Sequence, residues 1–279
     1  MSTVTRFAPS PTGWLHLGHA YAALFAAEQA RQKGGRFLIR LEDIDGTRSR
    51  PEYETALFDD LTWLGLNWEK PVRRQSDHTQ DYRTALDQLE SLGLLYPCFC
   101  TRREIQEEIA RAGQAPHGPD GALYPGTCRY RSLAERKDLI ASGQAYALRL
   151  DVEKAAALAG RELHWEDAVR GVQVATPAIF GDMVLARKDT PASYHLAVVV
   201  DDAEQSITLV TRGEDLFEAT HLHRLLQELL KLPVPRWHHH RLITDENGKR
   251  LAKRDDARSL RTLRDEGWSV ENVLQKLKL

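Results

Sequence analysis

The stretch Arg6-Phe7-Ala8-Pro9-Ser10-Pro11-Thr12-Gly13-Trp14-Leu15-His16-Leu17-Gly18-His19 decides how this chain is read. Residues 3–7 predict a short strand that stops at the prolines. Residues 16–33 predict a helix, because Leu17, Ala20, Tyr21, Leu24 and Ala27 form one apolar stripe at helical period. Gly34-Gly35 ends the helix, 36–41 predict a second strand, and a further helix follows with Pro51 near its first turn. Strand, helix, strand, helix predicts an α/β fold with a parallel sheet. The quoted stretch also sets two histidines and Gly18 at a helix start, where unpaired N–H groups and the helix dipole attract phosphate. Histidines there can donate to a phosphate that gains charge as its leaving group departs, and Gly18 allows a flat ligand to approach the backbone.

Further along, 81–92 predict another helix. From Tyr96 the texture changes to a cysteine pair, the capping box Thr101-x-x-Glu104 and a Gly/Pro-rich run over 113–126. Alternating stretches at 145–152 and 162–174 predict strands inside this insertion. The runs 194–200 and 207–211 predict buried strands, 217–231 predict a helix, and 260–266 and 270–277 predict two short terminal helices. The expected division is 1–95 and 179–238 for the two halves of one catalytic domain, 96–178 for an inserted subdomain, and 239–279 for a basic loop with a short helical end.

Of 279 residues 42% are hydrophobic and 28% charged, which suits a globular core and excludes a disordered chain. No apolar run approaches the roughly 20 residues that span a bilayer, and Arg6, Pro9 and Pro11 interrupt the place of a signal peptide. A cytoplasmic protein without membrane contact is expected. The net charge of -2 gives no bulk argument for nucleic acid, but nine Lys/Arg face four Asp/Glu between Arg236 and Arg264. Three cysteines, two of them in Cys98-Phe99-Cys100, make a poor disulfide framework and point to a metal.

Far downstream, Asp245-Glu246-Asn247-Gly248 leads into Lys249-Arg250-Leu251-Ala252-Lys253-Arg254. With the N-terminal stretch, this resembles the two signature sequences of the class I aminoacyl-tRNA synthetases. The resemblance narrows to the glutamyl group through residues 6–13, Ile39-Arg40-Leu41-Glu42-Asp43-Ile44-Asp45 and Tyr194-His195-Leu196-Ala197-Val198-Val199-Val200-Asp201-Asp202, all in the group's order. It implies a Rossmann-like catalytic domain with an inserted zinc-bearing α+β subdomain and a short C-terminal helical region. Arg250 and Ala252 depart from the family pattern, which favours Lys and often Ser there, while Lys253 keeps its place. Losing a serine hydroxyl forfeits one hydrogen bond, a net about 0.5–1.5 kcal/mol. The sequence ends at Leu279, where a full glutamyl synthetase continues into an anticodon-binding region. It is therefore similar to the short stand-alone members that activate glutamate without tRNA and attach it to the queuosine base of tRNA(Asp).

By that resemblance Cys98, Cys100, Tyr124 and Cys128 match a structural zinc site. Chemistry alone would favour His117 as fourth ligand, since a tyrosine must lose a proton to ligate well, whereas the spacing to Cys128 favours Tyr124. Arg6 and Arg212 are the implied clamps for the two carboxylates of L-glutamate, a task suited to arginine's planar fork. Glu42 would hold the ammonium, with Ala8, Ser10 and Tyr194 completing the pocket. His16, Gly18, His19 and Lys253 would hold ATP with its magnesium, and His16, His19 and Lys253 would be catalytic. The expected acceptor is a queuosine-containing anticodon stem-loop, gripped by the basic 236–264 surface and the zinc subdomain. Two rival readings are a truncated enzyme charging a tRNA 3′ end and a non-catalytic zinc-bearing RNA-binding protein on the same fold.

Overall fold

A computed structural model of the protein describes residues 2–111, 117–119, 121–187, 189–244 and 258–279. Strand β1 (Val4–Phe7) leads through the proline-rich loop into helix α1 (Leu17–Gln32), and β2 (Arg36–Leu41) pairs parallel to β1. His16 caps α1 through its side chain, with His19 returning the bond. The buried face of α1 is Leu17, Ala20, Tyr21, Ala23, Ala26 and Ala30, whereas Leu24 and Ala27 of the expected stripe are only partly buried. Small residues on this face let the helix lie close to the sheet, close enough for the Thr5 hydroxyl to reach the Ala26 carbonyl at 2.8 Å.

Helix α2 (Pro51–Trp63) follows with Pro51 in its first turn, and β3 (Glu69–Arg74) pairs parallel to β2. Helix α3 (Thr79–Ser91) then leads to β4 (Leu95–Cys98), α4 (Arg102–Arg111), the short strands β5 (His117–Gly118) and β6 (Gly121–Ala122), and α5 (Leu133–Ala141). Thr101 and Glu104 form the expected capping box at the start of α4. Next come β7 (Ala147–Leu150), α6 (Val152–Ala159), the hairpin β8 (His164–Asp167) and β9 (Gly171–Val174), and β10 (Met183–Ala186). Strands β4, β7 and β10 form a small antiparallel sheet.

The chain then returns through α7 (Tyr194–Glu204), β11 (Leu209–Gly213), α8 (Ala219–Leu229) and β12 (Arg236–His240), and ends in α9 (Leu260–Asp265) and α10 (Val270–Leu277). Residues 194–200, expected as a strand, open α7 instead. Leu196 to Asp202 are all buried, and a helix covered on every side shows the same unbroken apolar run as a central strand.

Strands β11, β12, β8 and β9 form a second sheet, parallel across β11–β12–β8. The Thr208 N–H donates to the Val4 carbonyl at 3.0 Å, so this sheet continues from β1. The resulting order is β3-β2-β1-β11-β12-β8-β9. The hairpin β8–β9, inside the expected 96–178 insertion, thus extends the main sheet, and β10, beyond it, completes the small one.

One face of the sheet packs Phe7, Phe37, Ile39 and Leu41 against α1, α2, α9 and α10. The other face carries Val4, Leu38, Val210, Trp237 and Trp165. No helix among the described residues is long and apolar enough to cross a membrane.

Candidate active site

Side chains two residues apart on a strand share a face. Each of five strands has an apolar residue in the core just described and a polar one two positions on. The pairs are Leu38 and Arg40 on β2, Val4 and Arg6 on β1, Val210 and Arg212 on β11, Trp237 and His239 on β12, and Trp165 and Asp167 on β8. The polar members form a tier at the carboxyl ends of the strands. The tier crosses the point where the chain turns to opposite sides of β1, which is where open α/β sheets bind ligands.

Helix α7 covers one end of the tier with carboxylates. Asp202 takes Arg6 through two bonds, at 2.9 and 3.3 Å, and Arg40 at 2.7 Å. Arg40 also reaches Glu42 at 3.2 Å, and Asp201 gathers Arg73, Gln75 and Tyr82. Burial alone would raise the pKa of Asp202, but Arg6 and Arg40 hold it below the ordinary carboxylate range. Glu42 is pushed up, since its burial outweighs the pull of Arg40 and Arg6.

Helix α8 covers the other end with neutral groups. Arg212, 6% exposed, donates to His239 Nε2 and His223 Nδ1 at 3.1 Å each, to the Thr220 hydroxyl at 2.5 Å and to the Tyr194 hydroxyl at 3.5 Å. None of these four partners is a carboxylate. Desolvation accordingly lowers the pKa of Arg212 and holds that of His223 well below the ordinary histidine value.

Beside the tier opens a cleft of about 640 Å³ whose lining includes Ser10, Thr12, Glu42, Arg102, Tyr194 and His195. The Glu42 N–H donates to the Pro9 carbonyl at 3.0 Å, fastening the 8–13 loop to the end of β2. Of the expected glutamate residues, Arg6, Glu42, Tyr194 and Arg212 thus come together, Ser10 lines the same cleft, and Ala8 lies half-buried beyond Phe7.

At the α1 terminus, His16 Nδ1 accepts the Gly18 N–H at 3.1 Å and His19 Nδ1 accepts that of His16 at 3.2 Å. Accepting at Nδ1 puts the proton of each neutral ring on Nε2. A Cβ at position 18 would lie 2.9 Å from His16 Cε1, so glycine is what admits the capping ring. Lys253 and the rest of 245–257 lie outside the described residues.

The three cysteines are unbridged, and their sulfurs lie within 4.8 Å of one another. Cys100 is 3.4 Å from Cys128, and the Tyr124 hydroxyl is 3.4 Å from Cys98 and 3.5 Å from Cys100. Zn–S bonds of about 2.3 Å give a tetrahedron with edges of about 3.8 Å, so this donor set fits one metal ion. The side chain of His117 lies outside the described residues. Burial pushes the Cys100 thiol up to about 12. At Cys128 burial acts the same way, but bonds from the Phe99 N–H and Tyr124 prevail and bring it to about 7. The cluster is tied to the cleft by Arg149, which lines it and lies 3.8 Å over the Tyr124 ring.

No role follows from the sequence for Asp202, Arg40, His239, Asp167, His223 or Thr220. The available signal was two consecutive acids after an apolar run and three consecutive histidines on β12.

A model of the family described as tRNA synthetases class I (E and Q), catalytic domain, matches residues 2–279. The chain is 52% identical to the Glutamyl-Q tRNA(Asp) synthetase of Rhodobacter capsulatus over 285 aligned positions, covering 99% of this chain and 100% of that protein. It is 39% identical to the glutamate–tRNA ligase of Aquifex aeolicus, covering 99% of this chain and 56% of that one. Among solved structures, the glutamate-tRNA synthetase from Elizabethkingia anophelis superposes with a TM-score of 0.80 at 28% identity. That match covers 97% of this chain and 60% of the solved one. By these matches the chain belongs to the class I tRNA synthetases of the E and Q group and is an aminoacyl-tRNA synthetase-like ligase.

Proposed function

We propose that the protein uses ATP to convert L-glutamate to glutamyl-adenylate without tRNA, and then transfers the glutamate to the queuosine base in the anticodon loop of tRNA(Asp). The observation that carries the first step is Arg212, a buried cation with neutral partners beside a cleft that holds a carboxylate, Glu42, for an ammonium. The acceptor rests on the name of the Rhodobacter relative, matched along the whole of both chains.

Arg212 and Arg6 take the two carboxylates of glutamate, and Tyr194, Ser10 and Ala8 shape its pocket. An α-carboxylate oxygen attacks the α-phosphorus of ATP, a P–O bond forms, and pyrophosphate leaves with the bridging oxygen. His16 and His19 donate from Nε2 to the triphosphate above the α1 terminus beside Gly18, and Lys253 neutralises the leaving group, to which magnesium brought with ATP would add its charge. A hydroxyl of the base then attacks the activated carbonyl, which needs mainly proximity; the new C–O bond replaces the carbonyl's bond to the AMP phosphate oxygen, and the hydroxyl proton passes to solvent. AMP departs. The metal-bearing insertion after residue 95, which includes β10 and leaves the β8–β9 hairpin to the main sheet, sits between the two catalytic halves, and together with the basic 236–264 surface it grips the stem-loop. Zinc on Cys98, Cys100, Tyr124 and Cys128 would be structural, because four protein ligands close the tetrahedron. Elemental analysis should find about one zinc per chain, lost in Cys100→Ser; a wild type without zinc would remove this part of the proposal.

The main test has two stages. Glutamate-dependent ATP–pyrophosphate exchange should run with no tRNA and slowly with glutamine, since an amide leaves a buried cation unpaired. Lys253→Ala should slow it by orders of magnitude. An anticodon stem-loop bearing queuosine should then be glutamylated, and the same loop with guanosine should not. Mass analysis of the nucleoside identifies the site. Exchange that requires tRNA, or glutamate on a terminal adenosine alone, would favour the charging activity named for the Aquifex relative.

A further inference from the structure

We infer that Asp167 and His239 are positioning residues that hold Arg212 as a cation among neutral groups, and thereby set the affinity for glutamate and the discrimination against glutamine. The inference rests on the glutamate site proposed above and extends it to two side chains that do not line the cleft.

The hydrogen bonds have a direction. Asp167 is fixed by four N–H donors: Val169 and Arg170 at 2.9 Å to Oδ1, and the His239 backbone at 3.2 Å and its Nδ1 at 2.7 Å to Oδ2. A carboxylate accepts only, so the proton of His239 stands on Nδ1. Nε2 therefore carries a lone pair, which accepts Arg212 Nε–H at 3.1 Å. Thr220 closes the arrangement: its oxygen accepts Arg212 Nη2 at 2.5 Å, and its own proton can go to His239 Nε2 at 3.3 Å. Burial, followed by Arg212, brings the pKa of His239 down to about 4, so the ring stays neutral near pH 7.

This arrangement differs from a direct ion pair in what it leaves available. At Arg6 the carboxylate of Asp202 touches the guanidinium, and the charge is already met. At Arg212 one imidazole separates the cation from Asp167, so the cation is oriented without being neutralised. Its longest bond, 3.5 Å, runs to Tyr194, which lines the cleft. A substrate carboxylate arriving past Tyr194 is thus the first carboxylate to touch Arg212 directly, given its partners among the described residues. An amide in its place would not supply one.

Two substitutions of His239 separate its two bonds. Asparagine places its amide near Nδ1 and keeps the link to Asp167 alone; glutamine reaches the position of Nε2 and keeps an acceptor for Arg212. His239→Asn should raise the glutamate KM about tenfold or more, with kcat within about threefold because a carboxylate clamp acts equally in ground and transition states. The KM for ATP should not move. His239→Gln should keep glutamate KM within about threefold of wild type. Asp167→Asn should behave like His239→Asn, since its amide must face either two backbone N–H groups or His239. Unchanged glutamate KM in all three variants would overturn the inference, as would parallel loss of kcat and of affinity for both substrates. An independent readout is the ¹⁵N spectrum of the His239 imidazole. A neutral ring protonated at Nδ1 supports the relay, and protonation at Nε2 overturns it. A wild type without glutamate-dependent exchange would count against the proposed function, and the tautomer would still decide the relay.

Discussion

The two ends of the polar tier treat their arginines in opposite ways. On the β2–β1 side, Arg40 and Arg6 share Asp202, and Arg40 adds Glu42 and, at 3.6 Å, Asp201. On the β11–β12 side, Arg212 has two histidines, a threonine and a tyrosine. The surroundings are otherwise alike: all three arginines are buried and stand on one face of one sheet. Arg6, proposed to take one substrate carboxylate, is oriented by a carboxylate of its own, whereas Arg212, proposed to take the other, is oriented by neutral groups. Under the proposed function, an amino acid with two carboxylates and one ammonium would meet both kinds.

The largest expected effect follows from removing the shared counter-ion. Asp202→Asn leaves Arg6 buried without a carboxylate partner, and breaking such a pair costs about 3–5 kcal/mol. Chemical denaturation should show this as a lower midpoint. Arg212→Leu should leave stability within about 1 kcal/mol of wild type, because among the described residues no buried carboxylate touches Arg212 to be orphaned. The same variant should abolish glutamate-dependent exchange. Equal stability losses in the two variants would erase the distinction between the two ends.

How much of this was legible in the sequence depended on the range of the signal. The strand–helix–strand start is readable because its cues are local: prolines that stop β1, an apolar stripe at helical period, a glycine pair after α1. Residues 194–200 were misread as a strand because leucine and valine buried on all sides carry no periodicity. That misreading also hid Asp201 and Asp202. In a strand they would point to opposite faces, whereas on α7 they lie about 100° apart, and Asp202 meets Arg6 and Arg40 while Asp201 meets Arg73 and Tyr82. The family stretches name residues expected at a glutamate site, but not the partners that hold them. Asp167 and His239 are 72 residues apart in the chain and meet only because β8 joins β12. The division near 178 misses the same pairing, since alternation reveals a strand but not the sheet it joins.

Asp60 sharpens the comparison from a third position, with the smallest effect. It is 1% exposed on α2, its Oδ1 accepts Arg264 Nη1 at 3.3 Å, and its Oδ2 has no hydrogen-bond partner among the described residues. Burial pushes its pKa up to about 6, and Arg264, partly exposed on α9, only moderates this. The sign follows from proton binding. Below pH about 4 the group is protonated both in the folded protein and in the unfolded chain. Between about 4 and 6 the folded form holds the extra proton, so raising the pH through this window removes stability, and the loss persists above it. For a carboxyl sealed from solvent that loss would reach about 3 kcal/mol, but water reaching the pair through Arg264 reduces it to about 1 kcal/mol. Asp60→Asn should therefore raise the thermal midpoint at pH 8 and lose its advantage at pH 4. If it lowers the midpoint at pH 8, the single long bond to Arg264 outweighs the burial of Asp60. One partly exposed arginine would then compensate a buried carboxylate as fully as two buried ones do at Asp202.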